Sequence, residues 1–239
     1  MGHRENIDGV PRRDWAVFLD IDGTLLEIAA RPDAVIVPDE LAPTLETAST
    51  WLGGALAIVS GRPLTVIDHL LSPLTLPCAA EHGAQLRLAD GTMLEPGHQR
   101  GVPAQWRGHI LAATRDWTGV LVGNKAFSVA VHYRMAPDRE RDVSDLTHGL
   151  VGDDPEFEVL PARMAFEIRH RRLNKGEAIR TFMKTRPFEG RIPVFVGDDV
   201  TDEDGFHAVR ELGGLALHVD EAFGGQPANV RAWLKSFVG

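Results

Sequence analysis

Apolar residues recur along this chain in two rhythms, and the change from one to the other predicts its architecture. Residues 15–19, 55–59, 76–80 and 192–196 are continuous apolar runs, and 215–219, broken only by His218, reads as a fifth strand. Strands buried on both faces of a parallel sheet have this character. Between the runs, apolar positions return at helical spacing. They are Leu41, Leu45, Ala48, Trp51 and Leu52 before the Gly53-Gly54 stop, then Ala178, Ile179, Phe182 and Met183, and finally Val230, Trp233, Leu234 and Phe237 after Pro227. A further helix opens at Pro63. Strands alternating with helices predict an α/β fold.

From about residue 103 the rhythm changes. A helix carrying Trp106, Ile110 and Ala113 is followed by strict alternation, as in half-exposed antiparallel strands. Phe127, Val129, Val131 and Tyr133 share one face, against Ser128, Ala130, His132 and Arg134. Likewise Met164, Phe166 and Ile168 oppose Glu167 and Arg169. One face of this sheet is expected to pack on helices such as 142–151. Residues 103–169 are therefore expected to form a second unit inserted into a core of 14–102 and 170–239, with 1–13 a loose tail. The polar face suits recognition of hydroxyl groups, each of which needs a partner when buried. Alternation alone favours the plainer alternative, a solvated face. His170-Arg171-Arg172 is expected as a solvated charge run.

Polar clusters recur where apolar runs end. In open α/β sheets those carboxyl ends border the ligand crevice. Asp20-Ile21-Asp22-Gly23-Thr24-Leu25 follows the first run. Two such carboxylates repel by roughly 4 kcal/mol at 4 Å and an effective dielectric near 20, so a site holding both needs a cation or a shifted proton. One could attack phosphorus while the other moves protons; an acidic turn capping a helix is the alternative. Ser60-Gly61-Arg62 ends the second run and could hold an oxyanion or be a simple turn. Glu81-His82-Gly83 ends the third; a lone Glu-His pair is usually structural. Lys175 opens a helix, where it could lean over a phosphate or lie exposed. The fourth run ends in Gly197-Asp198-Asp199-Val200-Thr201-Asp202-Glu203-Asp204. A Thr201/Asp204 capping box would explain part of that cluster but not Asp198 and Asp199. Hard oxygen donors of this kind are what Mg²⁺ selects.

Composition narrows the partners. The 239 residues hold 34 acidic and 25 basic side chains, net −9, which argues against nucleic acid or an anionic membrane. The single cysteine, Cys78, cannot form an internal disulfide and is expected as a buried hydrophobe in a reducing compartment. The polar start is neither a signal peptide nor a span, so the protein is expected in the cytoplasm.

The ordered set Asp20-Ile21-Asp22-Gly23-Thr24-Leu25, Ser60-Gly61-Arg62, Lys175 and Gly197-Asp198-Asp199-Val200-Thr201-Asp202 resembles the haloacid dehalogenase superfamily of phosphohydrolases. Within it, Glu81-His82-Gly83, Lys125 with Val131-His132-Tyr133-Arg134, Phe166-Glu167-Ile168-Arg169 and Asn174-Lys175-Gly176 look like the trehalose-6-phosphate phosphatase family. His170 stands where that family often has proline.

The resemblance implies a Rossmann-like core with a parallel sheet and an α/β cap of the C2 type inserted after the third strand. Asp20 would be the nucleophile and Asp22 the general acid and base. Thr24, Ser60, Gly61 and Lys175 would bind the phosphoryl group. Mg²⁺ would be bound by Asp20, Asp22 and Asp198, with Asp199 and Asp202 in support. Arg62, Glu81, His82, Lys125, His132, Arg134, Glu167, Arg169 and Asn174 would meet the substrate. The activity implied is hydrolysis of trehalose 6-phosphate, with a functional link to a trehalose-phosphate synthase. Two other readings remain open: a phosphatase for sucrose phosphate or a glycosyl phosphoglycerate, and a catalytically silent sugar-phosphate sensor.

Overall fold

The computed structural model describes residues 10–29, 34–94, 101–125 and 127–238. Strand β1 (Trp15–Leu19) is buried along its whole length, as its unbroken apolar run requires. Helix α1 (Leu41–Trp51), strand β2 (Leu56–Val59), helix α2 (Leu64–Leu71) and strand β3 (Cys78–Ala80) follow. A short antiparallel pair, β4 (Gln85–Arg87) and β5 (Met93–Leu94), then extends the sheet. This pair was not expected from the sequence.

The chain next builds a second sheet. Its elements are α3 (Ala104–Ala113), β6 (Leu121–Asn124), β7 (Val129–His132), α4 (Glu140–Val151), β8 (Phe157–Ala162) and β9 (Ala165–His170). It returns to the first sheet through α5 (Lys175–Phe182), β10 (Ile192–Gly197), α6 (Glu203–Glu211), β11 (Leu215–His218), α7 (Val219–Phe223) and α8 (Pro227–Lys235).

The first sheet has the order β11-β10-β1-β2-β3-β4-β5, parallel from β11 to β3. Trp15 and Phe18 point to opposite faces of β1 because side chains alternate along a strand. Trp15 meets Trp233 of α8 at 6.3 Å between ring centroids, and Phe18 meets Phe182 of α5 at 5.9 Å. Helices therefore cover both faces, and the central strands have no solvated side. Cys78 lies in this core as expected, and burial pushes its thiol up to about 12.

The second sheet is antiparallel, order β6-β7-β9-β8. Val129, Val131, Tyr133 and Ile168 pack on Ile110 of α3 and on Val143 and Val151 of α4, in a hydrophobic core separate from the first. The alternation in β7 and β9 thus sorts as the sequence predicts, with the apolar face on helices. The polar face turns toward the first sheet.

Two expectations are corrected. His170 is buried, 5% exposed, with its ring against Phe157 at 5.5 Å, so the run 170–172 is not wholly solvated. The capping box after β10 joins Asp199 and Asp202, not Thr201 and Asp204. The carboxylate of Asp202 reaches back to the amide it must satisfy, while the helix that follows has no side-chain cap. Residues 1–9 of the expected tail, and 31–33 of the loop before α1, lie outside the described residues.

Candidate active site

Strands β1 and β10 are parallel neighbours in register, with Leu19 beside Val196, and the Asp20 amide donates to the Val196 carbonyl at 3.0 Å. Their carboxyl ends therefore converge, and Asp20, Asp198 and Asp202 each bring a carboxylate oxygen within 4.8 Å of the others. Gly23 makes room for this. Its φ is +79°, and a Cβ there would stand 1.9 Å from Asp198 Oδ2. The Thr24 hydroxyl donates to Asp198 Oδ1 at 3.4 Å. Thr24 is wholly buried and positions a carboxylate; it does not line the cavity expected to hold phosphate.

Lys175, 1% exposed at the start of α5, donates from Nζ to Asp20 Oδ1 at 2.7 Å and to Asp202. Burial pushes its ammonium down, but the charges of Asp20 and Asp202 outweigh that and hold it above its ordinary value. Asp202 also accepts from the amides of Asp198 and Asp199 at 2.9 and 3.1 Å. Its oxygens are thus committed to the loop and to Lys175, which makes it a brace for the cluster. Burial and the charges of Asp202 and Asp199 raise the Asp198 carboxyl to about 7. Burial likewise lifts Asp20 well above the usual carboxylate range despite Lys175. One lysine does not balance this buried negative charge, and the donors are all hard oxygens. The residues present therefore fit a divalent cation of the Mg²⁺ type.

A cavity of about 390 Å³ opens above this floor and reaches the polar face of the second sheet. Asp20, Asp22, Ser60, Gly61, Arg62, His82, Lys175, Asp198 and Asp199 line it from below, and Lys125, His132, Arg134 and Glu167 from above. Most of the expected site residues are thus brought together. Lys125 Nζ donates to the Gly61 carbonyl at 2.9 Å and to Glu167 Oε1 at 3.0 Å. Glu167 also accepts from Ser128 Oγ at 2.5 Å. Burial drives the Glu167 carboxyl up, but Lys125 and these hydrogen bonds prevail and hold it well below its ordinary value.

His82 lies 3.6 Å from Glu167. Burial lowers the imidazole to about 4, so at neutral pH it is uncharged and this is a polar contact, not an ion pair. A Cβ on Gly61 would meet His82 Nε2 at 2.5 Å, so glycine in the Ser60-Gly61-Arg62 turn allows the imidazole to sit beneath the second sheet. Burial also lowers His132. Arg134 crosses to the first unit and donates to the Ala29 carbonyl at 2.5 Å.

Three expected substrate residues lie off the cavity. Asn174 caps α5 by accepting from the Glu177 amide at 2.8 Å. Glu81, with φ +45°, accepts from the Phe127 amide at 2.9 Å and ties the loop before β7 to the first unit. Arg169 is buried in ion pairs with Glu158 and Asp204. Conversely, Ser128 and Arg163 were not among the expected site residues. Ser128 sits on the expected polar face; Arg163 lies in the turn between β8 and β9 and carries no pattern that separates it from a solvated turn.

A parallel sheet with helices on both faces, carboxylates at its central strand ends and an antiparallel α/β unit above them make up a fold shared with haloacid dehalogenase-like hydrolases. Solved structures share the fold. The C-terminal domain of C. albicans trehalose-6-phosphate phosphatase superposes with a TM-score of 0.77 at 20% identity, covering 94% of this chain and 92% of that one. A haloacid dehalogenase-like hydrolase from B. subtilis superposes at 0.62 with 13% identity, covering 92% and 99%. The trehalose-phosphatase family profile matches residues 18–233. A probable trehalose-phosphate phosphatase of Sinorhizobium fredii is 43% identical over 90% of this chain and 83% of its own length. Trehalose-6-phosphate phosphatase of Escherichia coli K12 is 38% identical over 86% and 77%. The chain belongs to the trehalose-phosphatase family and is a phosphatase.

Proposed function

We propose that the protein hydrolyses trehalose 6-phosphate to trehalose and phosphate with Mg²⁺ as its cation. The observation that carries this is a single cavity with two unlike walls. Its floor carries Asp20 paired with Lys175 and Asp22 paired with Arg62, and its roof offers hydroxyl-binding groups on Lys125, His132, Arg134 and Glu167. Relatives named for this activity support the same substrate. We further place the division between core and cap at 14–102 with 170–239, and at 103–169, in keeping with the two hydrophobic cores. A cytoplasmic setting and a functional link to a trehalose-phosphate synthase complete the reading. No helix among the described residues is long and apolar enough to cross a membrane.

The chemistry follows from the placement of each group. An Asp20 carboxylate oxygen attacks phosphorus and the bond from phosphorus to the sugar oxygen breaks, leaving an aspartyl phosphate. Asp22 gives its proton to the departing oxygen, then takes one from the water that attacks the acyl phosphate and frees Asp20. Lys175 fixes the rotamer of Asp20 and supplies positive charge beside the phosphoryl oxygens. Ser60, 1% exposed, offers its hydroxyl at the mouth of the same turn. Asp20 and Asp198, with the Asp22 carbonyl, would hold Mg²⁺, which neutralises phosphoryl charge when bound. The test is phosphate release, with Mg²⁺, from a panel of sugar phosphates. Preference for trehalose 6-phosphate is expected, and faster turnover of sucrose phosphate or a glycosyl phosphoglycerate would displace the assignment. Asp20→Asn should abolish turnover with the circular dichroism spectrum unchanged; retained activity would remove Asp20 from the nucleophile's role.

A further inference from the structure

Arg169 lies two residues beyond Glu167 on the same face of β9, yet it does not line the cavity. It is 2% exposed. Its Nε donates to Oε1 of Glu158, its cross-strand partner on β8, at 2.9 Å. Its Nη2 leaves the second sheet and donates to Oδ2 of Asp204, in the first turn of α6, also at 2.9 Å. Helix α6 follows directly on the loop 198–202, so this bond joins the strand that presents Glu167 to the element that follows the acidic cluster. The remaining nitrogen, Nη1, is buried without a hydrogen-bond partner. A buried donor left unmade is costly, more so on a charged group. Packing alone would be served better by an apolar side chain of similar volume. A fixed charge with one spare donor suits a strut whose job is alignment.

We infer that Arg169 is a positioning residue: by clamping β9 to α6 it sets where Glu167 stands over the floor, and so tunes the enzyme for substrates long enough to reach the cap. This rests on the cavity being a sugar-phosphate site, but not on which sugar. The assay therefore uses whichever sugar phosphate the wild-type enzyme turns over fastest, beside p-nitrophenyl phosphate, which is too short to need the cap. Arg169→Gln is expected to lower kcat/KM for the sugar phosphate by about 10- to 100-fold, the scale of a misplacement near 1 Å, and to leave the aryl phosphate within about twofold. Asp204→Asn, at a half-exposed carboxylate, should reproduce most of the loss without threatening the fold. On a Glu167→Ala background, Arg169→Gln should add nothing, because coupled residues are not additive. Equal losses on both substrates, or a full further loss in the double variant, would overturn the inference. Should Arg169→Gln not fold, Asp204→Asn alone and combined with Glu167→Ala provides the same two comparisons, with the same results expected and the same results fatal.

Discussion

Arg62 grips Asp22 with two arms of its guanidinium, Nε to Oδ2 and Nη2 to Oδ1, each at 2.6 Å. A bidentate fork fixes the plane of a carboxylate as well as its place. The turn that ends β2 therefore holds Asp22 in place at the rim of the site, and because both its oxygens accept from Arg62, one of these bonds must open before Asp22 can carry a proton to the departing sugar oxygen. Arg62→Gln is expected to slow hydrolysis of glycerol phosphate by roughly 10²-fold, the usual worth of a positioned proton donor. Hydrolysis of p-nitrophenyl phosphate should suffer far less, because a good leaving group needs no proton. Comparing kcat/KM on the two substrates decides the matter; equal losses would place Arg62 on the phosphoryl group instead.

Lys175 sits between two buried carboxylates. Lys175→Met removes the cation and strands Asp20 and Asp202 in the interior. Breaking a buried pair in this way typically costs about 3–5 kcal/mol. Urea unfolding should show a midpoint lowered to match, together with loss of turnover. An unchanged midpoint would mean that the carboxylates find other relief.

Gly23→Ala tests the floor of the site from the opposite direction. The new methyl group would fall on the Asp198 carboxylate, and a φ of +79° strains any residue with a Cβ. Metal affinity should drop about 10- to 100-fold, as when ligand-orienting groups are lost. Titration calorimetry with Mg²⁺ would measure this directly, with Asp198→Asn as the comparison.

His82 gives the fold a signature in acid. Its imidazole ordinarily titrates at 6.5, and burial lowers it to about 4, so the folded protein keeps it neutral while the unfolded chain protonates it. The stabilisation is complete above pH 6.5 and is lost as pH falls toward 4, by up to roughly 3 kcal/mol. Glu167, held below its ordinary 4.5, loses its contribution only in stronger acid, below that value. His82→Asn tolerates the local φ of +60°. It should flatten the dependence of Tm on pH across that interval; an equally steep curve would mean that burial of the neutral imidazole is not the source of the acid sensitivity.

Much of this was legible in the chain because burial leaves periodic traces. The unbroken apolar runs marked β1, β2 and β10, and strict alternation marked the faces of β7 and β9. Strands β4 and β5, of three and two residues, are too short to show any period. Strand β8 carries Pro161 and few fully buried residues, so its pattern is weak. For the site, sequence indicated which polar residues share a strand end but not where each side chain is spent. Asn174 went to a helix cap and Thr24 to Asp198. Glu81 went to a backbone amide, and Arg169 to two carboxylates that no local pattern pairs with it. Such assignments depend on contacts between residues far apart in the chain.

The apolar sides of β7 and β9 are satisfied by α3 and α4, in a core independent of the one beneath β1. Their inward side chains consequently take no part in that apolar packing, and are held by polar contacts such as that of Lys125 with Glu167. Descendants of this protein could thus exchange His132, or Lys125 together with Glu167, for other groups and take up new phosphate esters, while the carboxylates at the strand ends below are inherited intact.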